Sequence, residues 1–311
     1  MQITFLGTSA GVPTRARNVS CVALRLPQRA EVWLFDCGEG TQHQLLRSDL
    51  KISQIRRIFI THLHGDHLFG LPGLLATCGM AGHAERIDIY GPRGLEEYLE
   101  EVTRRSETRF SYEARVHTVK AGTLYEDQEF FVNALPLRHR TAAFGYRVEE
   151  RDRPGHFEVE KARALGIPAG PLYGQLKRGE TVRLADGRTI SGLDLCGPAE
   201  KGRSVAYCTD TIFCQNAIEL SRGVDVLIHE ATFSLHEEAL ARQSLHSTTT
   251  MAAQTALAAQ AGKLIITHFS PRYAPGNQLT PEDLLAEARA VFPQTEMAHD
   301  FLSLEVARHA D

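Results

Sequence analysis

The hydrophobic positions of this chain change period along its length, and each change marks an element. Residues 3–6, 21–26 and 32–35 are short apolar or alternating runs bounded by Gly, Pro or Asp, a pattern that predicts strands. Residues 42–47 return to helical spacing. The run 57–61 predicts a further strand, and the apolar, small-residue-rich stretch 68–80 predicts a helix that must be buried. A strand over 87–90 ends at Gly91-Pro92, and 95–105 reads as a helix whose wet face carries Glu96, Glu97, Glu100, Glu101, Arg104 and Arg105. Strands dominate 114–148, including 130–137, which runs into Arg138-His139-Arg140. After residue 204 strands and helices alternate: strand 204–208, helix 212–220, strand 224–228, helices through 261, strand 264–267. Such alternation predicts an α/β fold, in which functional groups gather beyond the carboxyl ends of strands.

The pattern breaks between 151 and 190, where six glycines and three prolines fall in forty positions. That density suits regular core elements poorly, so the expectation is an inserted arm, 151–195 at its widest, with little packing of its own, inside a single domain of residues 1–311. Eight Lys or Arg against five Asp or Glu give residues 151–190 a net charge of +3 within a chain of net −4. A basic appendage on an acidic body suits a polyanionic ligand.

The bulk composition, 43% hydrophobic and 23% charged, is that of an ordinary soluble protein. Its six cysteines form no CxxC pair, residues 1–7 lack a basic stretch leading into a long apolar one, and no window holds the roughly 18 apolar residues of a membrane span. A cytoplasmic protein with no membrane partner is expected.

Candidate chemistry is densest directly after the strand at 57–61. There His62-Leu63-His64-Gly65-Asp66-His67 puts three imidazoles and a carboxylate into six positions, the ligand set of zinc or a similar divalent ion. Asp66 and His67 point apart from His62 and His64 in a loop, so a pair of ions divides the four ligands more easily than one ion takes them all. Two later strands also end on a possible ligand, Asp210 and His268, though a carboxylate at Asp210 could equally cap the following helix. His139 and His117 both follow strands and compete for one place. His229 beside Glu230 is a ligand or a residue that orients one, Asp36 supports a ligating histidine or caps a helix, and His246 before Ser247-Thr248 is a possible proton donor. His43, His83, His156, His236, His299 and His309 receive no role. The glycine-containing loop from Gly7 to Asn18, with Arg15 and Arg17, can bind an anion or simply connect two strands.

Together, Phe5-Leu6-Gly7-Thr8-Ser9-Ala10-Gly11, Pro13-Thr14-Arg15-Ala16-Arg17-Asn18, Phe35-Asp36-Cys37-Gly38-Glu39-Gly40-Thr41-Gln42, HLHGDH, Gly145-Tyr146-Arg147, the Gly/Pro arm, His229-Glu230-Ala231-Thr232, His246-Ser247-Thr248 and Thr267-His268-Phe269-Ser270-Pro271-Arg272-Tyr273 resemble the metallo-β-lactamase superfamily. Within it they resemble the transfer-RNA 3′ processing endonucleases of the ribonuclease Z family, over nearly the whole chain. The resemblance implies a four-layer αββα sandwich with a protruding arm. It places His62, His64 and His139 on one zinc, Asp66, His67 and His268 on a second, and Asp210 between them, with Co2+ or Mn2+ as alternatives to Zn2+. It further implies Asp66 as proton acceptor for a metal-activated water, and Glu230 and His246 near the leaving oxygen. Precursor transfer RNA is the implied substrate and a homodimer the implied assembly. RNA contacts are implied at Arg15, Arg17 and Asn18, at Gly170, Pro171, Lys177 and Arg178 of the arm, and at Ser270 and Arg272. Arg15 stands where many members carry Lys, which keeps the charge but not the hydrogen-bond geometry. The same chemistry admits 3′ exonucleolysis, and no DNA partner is expected. The rival readings are a small-molecule phosphodiesterase, which would not depend on the arm, and a metal-stabilised RNA-binding module, which would have no turnover to lose on replacing Asp66.

Overall fold

The computed structural model describes residues 1–82, 85–274 and 276–308, so His83 and His309 lie outside the described residues. Among the described residues, sixteen strands form two large sheets and one small one. The first large sheet runs β16 (Ser303–Glu305), β1 (Gln2–Gly7), β2 (Cys21–Leu26), β3 (Glu31–Phe35), β4 (Ile55–Phe59), β5 (Ile87–Gly91), β6 (Ala114–Thr118). The second runs β15 (Thr295–Met297), β14 (Lys263–Thr267), β13 (Val226–Glu230), β12 (Ser204–Cys208), β9 (Ala143–Glu150), β8 (Phe130–Leu137), β7 (Gly122–Glu126). Each is parallel on one side, through β3-β4-β5-β6 and β12-β13-β14-β15, and antiparallel on the other.

The side-chain period of two distributes each strand between two cores. In β12, Val205 and Tyr207 join an aromatic core that also holds Phe5, Trp33, Phe35, Phe59 and Phe130, whereas Ala206 and Cys208 join another with Ala252, Ala253, Ala256 and Leu284. In β4, Phe59 faces the aromatic core and Ile58 packs with Leu45, Leu71, Leu74, Leu75 and Leu99. The aromatic core therefore lies between the sheets, and helices cover both outer faces, giving the expected αββα layers. Among the described residues no helix is long and apolar enough to cross a membrane.

Two expectations need correction. The helix over 68–80 is broken into Gly65–Leu68 and Leu71–Met80. At the break Gly70 lies on the loop after β3: a Cβ there would stand 2.0 Å from the Gly38 carbonyl oxygen, so the contact requires glycine. The Gly/Pro-rich segment does have packing of its own. Helices Val159–Ala164 and Pro171–Lys177 and the hairpin β10 (Thr181–Arg183) and β11 (Thr189–Ser191) enclose a core of Phe157, Ala162, Ile167, Leu176, Val182, Leu184 and Leu195. Part of the glycine density is close packing: a Cβ on Gly192 would stand 2.2 Å from the Leu176 carbonyl oxygen, and one on Gly155 1.9 Å from that of Pro198.

Candidate metal centre and catalytic edge

The carboxyl ends of β4, β8, β12, β13 and β14 deliver His62, His139, Asp210, Glu230 and His268 to one edge of the sandwich. Asp36, Asp210 and His268, each just past a strand, have φ of 61°, 51° and 59°. For residues other than glycine this left-handed region costs about 1–2 kcal/mol each, and such strain persists where surrounding contacts fix the side chain. Here each of the three is held in a polar network.

The ligand atoms fall into two groups. Around the first, His64 Nδ1 is 2.9 Å from His62 Nε2 and 3.3 Å from His139 Nε2, and Asp210 Oδ2 is 3.5 and 3.7 Å from those two Nε2 atoms. Around the second, His67 Nε2 and His268 Nε2 are 3.3 Å apart, with Asp66 Oδ2 at 3.3 and 3.5 Å from them. Asp210 Oδ1 is 3.2 Å from both of these imidazoles. One carboxylate thus turns an oxygen to each group. Ligands bound at about 2.1 Å to a tetrahedral ion stand about 3.4 Å apart, which matches these spacings.

The far nitrogens show which way the lone pairs point. His67 Nδ1 donates to Asp36 Oδ2 at 2.8 Å, and His139 Nδ1 donates to the Leu245 carbonyl at 3.1 Å. His62 Nδ1 is 3.0 Å from Thr61 Oγ1, whose hydroxyl donates to Asp36, and His268 Nδ1 is 2.9 Å from Thr232 Oγ1, whose hydroxyl donates to Glu230. Each N–H is therefore spent outward, and four Nε2 lone pairs converge inward with the Asp66 and Asp210 carboxylates. Neutral donors crowded in this way repel one another unless a cation sits among them, so the residues fit a pair of divalent ions. Burial, then the neighbouring His67, pushes His62 down to about 2, which keeps it an unprotonated donor. Burial opposes ionisation of Asp66 and Asp210, yet His67 and His268 hold both carboxyls well below the usual range. Against its own burial, the carboxylates in turn hold His67 well above the usual imidazole range, so a cation bound there would displace its proton.

Beside this centre stands a second pair. His246 Nδ1 is 3.0 Å from Glu230 Oε1, and its Nε2 is 3.9 Å from Asp210 Oδ2. Glu230 is fully buried and is fixed by the Thr211 amide at 2.6 Å and the Thr232 hydroxyl at 2.5 Å. Burial works against a charge on His246, but the Glu230 carboxylate outweighs it and raises the imidazole to about 9. Such an arrangement can donate a proton toward the edge where the two ligand groups lie.

His62, His64, Asp66, His67, His139, Asp210, Glu230, His246 and His268 thus come together. His117 does not: it is 2.8 Å from Asp88 and stacks on Tyr90. His229 donates to the Glu230 carbonyl and joins neither ligand group. Asp36 is a support, accepting from the Thr61 amide and hydroxyl, His67 and Tyr207. In the loop from Gly7 to Asn18, the Gly11 amide donates to Asp66 Oδ2 at 2.8 Å. Arg15 is exposed, while the Arg17 guanidinium bonds Thr8 and the Ala298 carbonyl and the Asn18 side-chain amide bonds the Glu39 carbonyl. Ser270 caps the turn Pro271–Tyr273, and Arg272 pairs with Glu237. Gly170, Pro171, Lys177 and Arg178 are exposed on the surface of the Gly/Pro-rich segment, with Arg178 paired to Glu180.

Sequence reasoning missed Glu287. Its carboxylate accepts from Ser234 Oγ, the Leu235 amide and Thr249 Oγ1 at 2.8, 2.9 and 2.5 Å, tying the segment after Glu230 to the segment after His246. No motif surrounds it, and only its inward position on an otherwise apolar helix face marks it out.

Two family models match the chain, anti-Pycsar protein Apyc1 over residues 1–148 and a beta-lactamase superfamily domain over residues 180–269. Ribonuclease Z of Cyanothece sp. is 68% identical over 311 residues, covering all of this chain and 97% of that one. Ribonuclease Z of Nostoc punctiforme is 67% identical over 311 residues, covering all of this chain and 98% of that one. The chain belongs to the ribonuclease Z family. As a ribonuclease Z family member it is a metal-dependent hydrolase, an endoribonuclease. The crystal structure of the short form of human tRNase Z matches with a TM-score of 0.69 at 30% identity, over 99% of this chain and all of that one.

Proposed function

We propose that this chain removes the 3′ trailer from precursor transfer RNA, cutting 3′ of the discriminator nucleotide at a centre of two zinc ions. The observation that carries the reading is Asp210, whose two oxygens face two separate histidine groups, in a chain that matches ribonuclease Z relatives from end to end. His62, His64 and His139 would hold one ion and Asp66, His67 and His268 the other, with Asp210 offering an oxygen to each group. Zinc, when bound, supplies Lewis acidity toward water and the scissile phosphate.

The chain's own residues do the rest. Asp66, steadied by the Gly11 amide, takes the proton of the attacking water. As the new O–P bond forms, His246, held by Glu230, gives its proton to the departing 3′ oxygen. The products are a 3′-hydroxyl on the transfer RNA and a 5′-phosphate on the trailer. Arg15 and the arm residues Lys177 and Arg178 grip the RNA backbone, with Gly170 and Pro171 shaping the arm's binding surface and Asn18, Arg17, Ser270 and Arg272 shaping the entrance. The arm reads folded RNA by shape. The assembly is a homodimer working in the cytoplasm.

A cleavage assay on precursor transfer RNA tests this. Chelated protein should be inert, two equivalents of Zn2+ should restore cleavage, and the products should carry the ends named above. Cleavage that survives complete chelation, or a restored enzyme that hydrolyses only small phosphodiesters, overturns the reading.

A further inference from the structure

A cavity of about 370 Å3 is lined by Arg138, Ile212, Phe213, Leu245, Thr250 and Gln254 among others, three of them close in sequence to residues of the candidate site. Small-molecule sites span about 300–1,000 Å3, so it has the size of a small planar ligand's site. Three of its lining residues adjoin the candidate site along the chain: Arg138 precedes His139, Ile212 follows Asp210-Thr211, and Leu245 precedes His246. It is also held rigidly. The Ile212 amide donates to the Arg138 carbonyl at 3.0 Å, the Arg138 amide donates to Thr211 Oγ1 at 3.1 Å, and the Leu245 carbonyl takes the His139 N–H.

Some of the groups facing the cavity are unspent, although the lining Arg242 and Glu238 pair with each other. Phe213 is 39% exposed, with no aromatic partner among the described residues. Arg242 is paired with Glu238, but the Arg138 guanidinium and the Gln254 amide take no side-chain partner among the described residues. An aromatic face, a free guanidinium and a free amide beside a phosphodiester-cleaving centre are the elements that stack a nucleobase and bond its edge or its phosphate.

We infer that this cavity is a nucleotide subsite, in which Phe213 stacks on, and Arg138 and Gln254 bond, the base of the nucleotide whose 3′ oxygen leaves. The side follows from Leu245, which lines the cavity and directly precedes His246, the proposed donor to that oxygen. The inference rests on the proposed RNA cleavage and adds to it a contact that reads the residue next to the cut.

The experiment compares two precursor transfer RNAs, one ordinary and one abasic at the nucleotide 5′ to the scissile phosphate, with the zinc-loaded enzyme. Because base–aromatic stacking is strong, removing the base should lower kcat/KM of the wild type roughly ten-fold. Phe213→Ala should show a similar loss on the ordinary RNA and no further loss on the abasic one, while Phe213→Tyr, which keeps the ring, should behave as wild type. Arg138→Ala should likewise lose less than wild type on going to the abasic RNA. Losses that multiply in Phe213→Ala, or a wild type indifferent to the missing base, overturn the subsite while leaving precursor cleavage standing. A wild type inert on the ordinary precursor overturns the parent reading and the subsite together, and that result is read on its own from the unmodified substrate.

Discussion

The two sheets contribute to the metal centre in different ways. The first sheet delivers four candidate ligands from one loop, His62, His64, Asp66 and His67, whose spacing is set by local backbone. The second sheet delivers His139, Asp210 and His268 singly, from the ends of β8, β12 and β14, and their spacing is set by strand register. The loop half rests on Asp36 and Thr61, and the strand-end half on Thr232 and the Leu245 carbonyl. The loop can thus carry donors without holding them apart correctly, whereas Asp210, on the other sheet, joins the two groups.

The sharpest way to break that comparison is to remove the joint. Asp210→Ala should drop zinc content below two equivalents and slow precursor cleavage by roughly 10³-fold or more, since Lewis-acid stabilisation is worth several kcal/mol. Metal analysis and single-turnover rates read both effects. Retention of two ions at normal rate would show that Asp210 is not needed to join the two groups. Next in size is His246→Ala, which should keep both ions and lose roughly 10²–10⁴-fold in cleavage, the range of a general acid. His246 is protonated below about 9, so the wild-type rate should hold up to about that pH and fall above it, and the variant should lack this limb.

The first half of the site was legible because HLHGDH is contiguous. Asp210 and His268 were legible as strand ends of an α/β pattern, but His139 and His117 could not be separated by spacing. What separates them is topology: β8 pairs with β9 in the second sheet, whereas β6 is the far edge strand of the first, beside β5. The arm was misjudged because composition counts glycines without showing which of them admit a neighbouring carbonyl, as Gly155 and Gly192 do. Glu287 was missed because a helical Glu is ordinarily solvated, and its three donors come from segments distant in sequence.

Smaller changes sharpen the contrast. Asp36→Asn leaves every ligand in place but weakens the support under the loop half, so zinc affinity should fall roughly 10–100-fold by competition with a chelator, the usual effect of losing such a partner. Lys177→Ala with Arg178→Ala should touch neither half. Zinc content and turnover of a small aryl phosphodiester should stay unchanged, while the salt dependence of precursor binding becomes shallower by about one unit of slope for each phosphate no longer neutralised. An unchanged salt slope would remove the arm from RNA binding.

The central claim is that two ions sit at this edge with Asp210 between them, and diffraction from crystals of zinc-loaded protein at the zinc absorption edge tests it most directly. Two anomalous peaks are predicted, one within about 2.0–2.2 Å of His62, His64 and His139, the other within the same distance of Asp66, His67 and His268, each also reached by an oxygen of Asp210. A single peak, or a peak coordinated by His246 in place of either group, would contradict it.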